Sequence, residues 1–184
     1  LLVNNAGYLG VTPLAATDTK KFDLMHALNT RAPLITMREC LPYLAATGGT
    51  VLNLCPPLNF DAGWMGAFIP YTVTKYGMTL LSMGFQEEVR KQGIRVHTLW
   101  PATIIATAAV GKLTGEPGLA VSRKPLIMAD AADALLSQPH LFAQQVSSLD
   151  EDVLRATGVT AFDDYAHVPA NAAHVQRDFY IGKY

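Results

Sequence analysis

The sequence is poor in cysteine, in charge and in unbroken hydrophobic runs, and each scarcity removes a class of protein. Two cysteines among 184 residues, Cys40 and Cys55, make no disulfide framework. They fit a reducing compartment, expected to be the cytoplasm. Charged residues are 16% of the chain and the net charge is −1. That argues against a nucleic-acid partner, because phosphate binding needs clustered Lys and Arg. No run of about 18 apolar residues escapes polar interruption, so no membrane span is expected. No signal-peptide pattern is visible, and Gly182-Lys183-Tyr184 does not match a peroxisomal C-terminal signal. The five histidines, His26, His97, His140, His167 and His174, are scattered without metal-ligand spacing, and no metal site is expected. There is no internal repeat and no low-complexity linker. What is present is a chain half hydrophobic by composition, long enough to bury a core as one domain or most of one.

Local patterns alternate between strand and helix. Leu1–Val3 is apolar and runs into the tight loop Asn4-Asn5-Ala6-Gly7. From Asp18 to about Leu44, apolar residues recur with a helical rhythm, in one or two segments, with Thr17 or Asp18 as N-cap. Gly48-Gly49 ends this stretch. Thr50–Leu54 reads as a buried strand, Cys55–Pro70 as loop, and Tyr71–Gln92 as a long helix stopped by Gly93. Ile94–Trp100 is the next strand, ended by Pro101. Thr103–Pro125 reads as a mobile segment with short helical turns. A helix over Met128–Gln138, a strand over Gln145–Leu149 and a short helix over Asp150–Ala156 follow, and the tail to Tyr184 is irregular. Strands alternating with helices predict an α/β fold with a doubly wound parallel sheet. Ligands of such sheets sit at the carboxyl ends of the strands. Three loops, after Val3, after Leu54 and after Trp100, are therefore expected to converge on one cleft.

The residues with chemistry to offer are Tyr71 and Lys75. Four residues apart on a helix, they share a face. An ammonium beside a phenol favours the phenolate, so Tyr71 is expected to lose its proton well below its usual pKa of about 10. Taken alone, the spacing also fits a half-buried helix tyrosine beside a snorkelling lysine. Trp64, Met65 and Phe68, in the preceding loop, are equally consistent with an apolar substrate pocket and with plain packing. Cys55 is expected to be an inert buried thiol.

Taken with Asn4-Asn5-Ala6-Gly7, Asn29, the strand and loop before Tyr71, and Leu99-Trp100-Pro101, the pair resembles the short-chain dehydrogenase/reductase family over essentially the whole chain. The stretches Asn53–Asn59, Tyr71–Met78 and Phe162-Asp163-Asp164-Tyr165 look closer still to its hydroxysteroid-dehydrogenase-like subgroup. The resemblance implies a Rossmann-like domain over residues 1–184 and hydride exchange between NAD or NADP and a small-molecule alcohol or carbonyl compound. It implies that Tyr71 is the acid/base. Lys75 would lower its pKa and bond the nicotinamide ribose, and Asn29 would interrupt a helix and hold a proton-relaying water. Asn5, Ala6 and Gly7 would line the adenosine-ribose side of the cofactor, and Pro101, Ile104 and Thr107 would flank the nicotinamide. A homodimer or homotetramer is expected, with Met78, Leu81, Phe85 and Val89 as an apolar stripe that would pack on a twin helix or in the core.

The chain departs from that family at two places. A serine that polarises the substrate carbonyl usually follows the strand Thr50–Leu54; here Pro56 stands in register, and Asn59 or Thr72 would have to supply the hydrogen bond. The missing donor keeps a second expectation open, a non-catalytic cofactor- or lipid-binding protein on the same fold. The glycine-rich turn that binds the cofactor pyrophosphate, with about three strands around it, is also missing. The chain is therefore expected to be the C-terminal portion of a larger domain, with its first strand exposed along one edge.

Overall fold

The computed structural model describes residues 1–143 and 145–183; Tyr184, and with it the end of the expected irregular tail, lies outside the described residues. Four parallel strands form one sheet in the order β1-β2-β3-β4. They are β1 (Leu2–Asn4), β2 (Thr50–Asn53), β3 (Arg95–Trp100) and β4 (Ser147–Leu149). In register, Leu2 faces Val51, Val51 faces Val96, and Leu99 faces Ser148. Between β1 and β2 run α1 (Thr19–His26) and α2 (Ala32–Thr47), joined by a π turn at Ala27–Arg31. Asp18 caps α1 by accepting from the Lys21 N–H at 3.0 Å. Gly48 ends α2 in the left-handed region, φ 59°, where a glycine avoids the Cβ penalty.

Helices cover both faces of the sheet. Val51 and Val96 pack with Met37, Leu44, Val89 and Ile94 on the side of α2 and α4 (Ile69–Val89). Leu52 and Leu99 pack with Ile127, Leu135, Val153 and Leu154 on the side of α6 (Leu126–Ser137) and α7 (Asp150–Ala156). Because side chains alternate across a strand, Val51 and Val96 serve one face and Leu52 and Leu99 the other, as a parallel sheet covered on both sides requires. The doubly wound α/β architecture is the one the sequence predicts.

Several boundaries differ. Cys55–Pro70 is not all loop: α3 (Ala62–Ala67) forms there, started by Asp61, whose carboxylate accepts from Gly63 N at 2.8 Å. Its two glycines hide it from propensity. The helix α4 begins at Ile69, because Pro70 in the first turn presets the helical φ. Thr103–Pro125 contains α5 (Ala108–Ala120), capped by Thr107 and kinked at Gly115, φ 65°. Likewise α6 begins at Leu126, ahead of Asp130. In the proposed apolar stripe, Met78 and Val89 are core residues, and the outward apolar side chains of α4 are Val73, Leu80 and Met83. Among the described residues, no helix is long and apolar enough to cross a membrane.

A polar ladder ties the strand ends to the helices. Asn4 Nδ2 donates to Asn53 Oδ1 at 2.7 Å, Asn53 Nδ2 donates to Ser82 Oγ at 2.7 Å, and Thr36 Oγ1 donates to Asn4 Oδ1 at 2.7 Å. Asn53 and Ser82 are fully buried. Removing the middle member strands buried partners without water to replace it. Asn53→Ala is expected to lower unfolding stability by about 3 kcal/mol, read as a lower urea midpoint at unchanged slope. A shift below roughly 0.5 kcal/mol would contradict the ladder's role.

Candidate active site

A cleft of about 320 Å³ opens at the carboxyl ends of β1 and β3. Asn5 and Gly7 reach it from the loop after β1, Pro101, Ile104 and Thr107 from the segment after β3, and Tyr71 and Lys75 from the first turns of α4. Six of the sequence-predicted positions besides Tyr71 thus line one cleft. Ala6 does not: it is exposed and lies outside the lining. Asn29 is fully buried behind the cleft rather than in it.

The π turn explains that placement. An extra residue in one helical turn widens the backbone and turns the Asn29 side chain toward the loop after β1. Its Oδ1 accepts from Tyr8 N at 2.8 Å, and its Nδ2 donates to Tyr8 O at 2.9 Å and to Thr74 Oγ1 at 3.0 Å. Asn29 therefore pins the β1 loop to α4. The interruption expected from the family resemblance is present as this wide turn. Gly7 contributes by lacking a side chain. A Cβ there would lie 3.0 Å from Asn29 Oδ1 and 3.7 Å from Lys75 Nζ.

Lys75 is buried, and its Nζ donates to the Leu54 carbonyl at 2.8 Å. The ammonium also lies 5.4 Å from the centre of the Trp100 ring, within cation–π range. Burial pulls its pKa down, opposed by the negative ends of Cys55 and Asp178. The expectation for Tyr71 is corrected here. Burial pushes its phenol well above 10, and Tyr180 and Asp178 push it further the same way. The cation four residues on is committed to Leu54 and does not offset desolvation. Tyr71 is thus held as the neutral phenol. Cys55 is fully buried with its thiol pushed up by burial, as an inert side chain should be.

The two stand-ins considered for the serine are both occupied. Asn59 Nδ2 donates to the carbonyls of Tyr180 and Gly182, each at 2.7 Å. Thr72 Oγ1 is 3.1 Å from the Tyr180 hydroxyl. Trp64 and Phe68 settle on the packing side. They join Phe179 and Tyr180 in an aromatic cluster, with Phe68 and Phe179 ring centres 4.5 Å apart, and neither lines the cleft. Met65 packs against the same cluster.

Among the lining residues that the sequence did not single out, one is ionisable and close to the pair. Asp178, in the irregular tail, faces the cleft beside Tyr71 and Lys75. Sequence spacing carries no signal for it, because residues 176–178 are brought to 102–104 by long-range backbone pairing.

With this geometry in hand, comparison with known proteins is informative. The model of the short chain dehydrogenase family matches residues 1–117. Hydroxysteroid dehydrogenase-like protein 2 of Bos taurus is 40% identical over 172 residues, 93% of this chain and 41% of its own length. The Homo sapiens protein of that name is 38% identical over 186 residues, 100% of this chain and 43% of its own. The chain spans about two-fifths of the length of these curated relatives. Among solved structures, a short chain dehydrogenase of Mycobacterium thermoresistibile is 36% identical with a TM-score of 0.86, covering 98% of this chain and 64% of that one. A protein of Xanthomonas campestris described as a dehydrogenase is 33% identical with a TM-score of 0.83, covering 100% of this chain and 65% of that one.

The anchoring role of Asn29 is open to test. Asn29→Ala leaves the Tyr8 amide and carbonyl and the Thr74 hydroxyl without their partner. A stability loss of about 3 kcal/mol is expected, together with faster hydrogen exchange at Tyr8. Wild-type protection at Tyr8 would show that the loop is held by something else.

Proposed function

Because the chain belongs to the short chain dehydrogenase family, we propose that it is an NAD(P)-dependent oxidoreductase acting on a hydrophobic alcohol or carbonyl compound. The observation that carries this is the convergence of Tyr71 and Lys75 with the segments after β1 and β3 on one largely apolar cleft. The residues present fit the nicotinamide-ribose end of such a cofactor. Gly7 leaves bare backbone beside the Lys75 ammonium, and that ammonium has given one of its three donors to Leu54. Asn5 and Gly7 on one side and Pro101, Ile104 and Thr107 on the other would hold it. The bound cofactor supplies or accepts the hydride.

The side chains handle orientation and the proton. Tyr71, kept neutral by burial, gives its hydroxyl proton to the substrate oxygen in the reductive direction and takes one back in the oxidative direction. Lys75 stabilises the phenolate that forms transiently and bonds the ribose hydroxyls. Asn29, next to the Gly7 gap, holds the water that returns protons to Lys75. Leu9, Ile105, Val110 and Leu113 give the cleft an apolar wall, which suits a hydrophobic substrate better than a sugar. A second reading, a non-catalytic cofactor- or lipid-binding protein, draws on Pro56, which offers no donor where the family has its serine.

We also propose a homodimer or homotetramer, with a second copy covering Val73, Leu80 and Met83 of α4 and Leu34 of α2, all exposed here. Leu80→Glu would place charge in that contact and is expected to yield monomers in sedimentation; an unchanged assembly would move the interface elsewhere.

For the chemistry, a panel of medium-chain alcohols and ketones with either coenzyme is the assay. Tyr71→Phe keeps the ring and removes the proton, and turnover is expected to fall by about 1,000-fold with the fold intact. Turnover that survives Tyr71→Phe rules out the assignment of Tyr71. Coenzyme binding by calorimetry without turnover on any substrate would favour the second reading.

A further inference from the structure

The tail of the chain delivers an acid into the cleft. Arg177 bridges Thr103 in antiparallel fashion, Ile104 N donates to Gln176 O at 3.0 Å, and Asp178 N donates to Ala102 O at 3.2 Å. The segment is then clamped. Trp100 Nε1 donates to Phe179 O at 3.2 Å, and Asn59 holds the Tyr180 and Gly182 carbonyls. Tyr180 adopts φ 68°, the one left-handed non-glycine backbone among the described residues. Such strain persists only where surrounding contacts over-determine it, and here they fix the backbone beside Asp178.

Asp178 is half-buried as a residue, while its carboxyl is desolvated. Phe179 N donates to Oδ1 at 2.6 Å, which is the carboxyl's one hydrogen bond among the described residues. The groups facing it are Lys75 and Tyr71 from α4, Asp150 from the start of α7, and Tyr180 from the tail itself. Asp150 is fully buried, takes the amides of Ala102 and Glu151, and leaves Oδ2 unpartnered. Lys75 acts on Asp178 and Arg123 on Asp150, yet two neighbouring desolvated carboxyls cannot both ionise cheaply.

Resting on the oxidoreductase reading, we propose that Asp178 is a third proton-handling residue of the cleft, whose neutral carboxylic acid donates a hydrogen bond to the substrate oxygen that Tyr71 protonates. This is the donor that Pro56 cannot supply. In reduction, the carbonyl carbon would accept the hydride that a bound nicotinamide supplies, and the C=O π pair would move to oxygen. The Tyr71 proton goes to that oxygen, and Asp178 keeps its own proton throughout. Burial, helped by Asp150 and opposed by the Phe179 amide and Lys75, raises the carboxyl to about 7. A carboxylic acid can act as a donor near neutral pH only when its site holds it neutral in this way.

Two variants in the full chain test the idea, with coenzyme and a medium-chain ketone as substrate. Asp178→Asn keeps an amide donor and the acceptor for Phe179 N–H. It is expected to lose less than about tenfold in reductive kcat and to lose the fall in rate above pH of about 7 that the wild type shows. Asp178→Ala is expected to lose about 100- to 1,000-fold in kcat with the coenzyme KM unchanged. Wild-type kcat and pH profile in Asp178→Ala, alongside a dead Tyr71→Phe, would overturn the proposal. A fully active Tyr71→Phe would instead overturn the oxidoreductase reading on which it rests. A readout without turnover is the thermal midpoint against pH. The folded carboxyl lies at about 7 against 3.8 for the unfolded chain, so the native state holds the extra proton. The wild type should therefore lose stability relative to Asp178→Asn as pH rises from about 4 to about 7. Asp150, raised to about 6, titrates in the same window but is present in both proteins. Parallel curves for the two proteins would also overturn the proposal.

Discussion

The Lys75 ammonium is buried at the point where three chain segments meet, and its need for partners shapes what surrounds it. An isolated buried ammonium is costly unless it is hydrogen-bonded or paired. Its nearest strong acceptor is a main-chain carbonyl, Leu54 O at 2.8 Å, a dipole that needs no counter-charge. That bond requires β2 to end where it does, with the first carbonyl beyond it turned toward α4. The Trp100 ring supplies a second, diffuse negative surface. Gly7 must stay bare, because any side chain there would press on Asn29 Oδ1 and approach Nζ. The third component of the field is the carboxyl of Asp178, which only the returning tail can bring within reach.

The same burial decides how the phenol behaves. From spacing, the dominant effect on Tyr71 should be the cation one turn away. In the folded chain desolvation is larger, and the neighbouring acidic groups of Tyr180 and Asp178 act in the same sense. Spacing along a helix reports which face a side chain shares; it says nothing of how much water is left on that face. A neutral phenol is nonetheless the form that gives a proton away, so the correction is compatible with the acid role proposed for the residue.

What was legible in the sequence follows from the range of the interactions that create it. The strands β2 and β3, the helix α4 and the cap at Asp18 rest on local composition and were visible as such. So was the convergence of the loops after β1 and β3, because parallel topology dictates it; the loop after Leu54, expected there too, does not line the cleft and reaches it only through the Leu54 carbonyl on Lys75. The helix α3 was hidden by Gly63 and Gly66, and α5 by Gly111, Gly115 and Pro117, since tertiary contacts here outweigh weak propensity. Asn53, Ser82 and Thr36 looked like ordinary polar residues, and only the pairing of β1 with β2 makes them a ladder. Asp178 stood in a stretch without periodicity, and its partner segment lies more than 70 residues earlier.

That distance carries a consequence for how the site holds together. The wall contributed by Asn5, Gly7, Tyr71 and Lys75 belongs to elements joined by strand pairing and by the Asn29 bonds. The wall contributed by Asp178 and Phe179 belongs to a tail whose backbone makes a handful of bonds to 102–104 and to the Asn59 side chain. Segments held by few bonds open at lower free energy than sheet cores. The strained Tyr180 lowers that opening energy further, while the aromatic cluster of Trp64, Phe68, Phe179 and Tyr180 raises it. The acid of the cleft therefore sits on a wall held by loop contacts and the aromatic cluster, and the phenol and ammonium on one held by strand pairing and the Asn29 bonds. Motion of the tail would change the proton inventory of the cleft without disturbing the Tyr71–Lys75 helix.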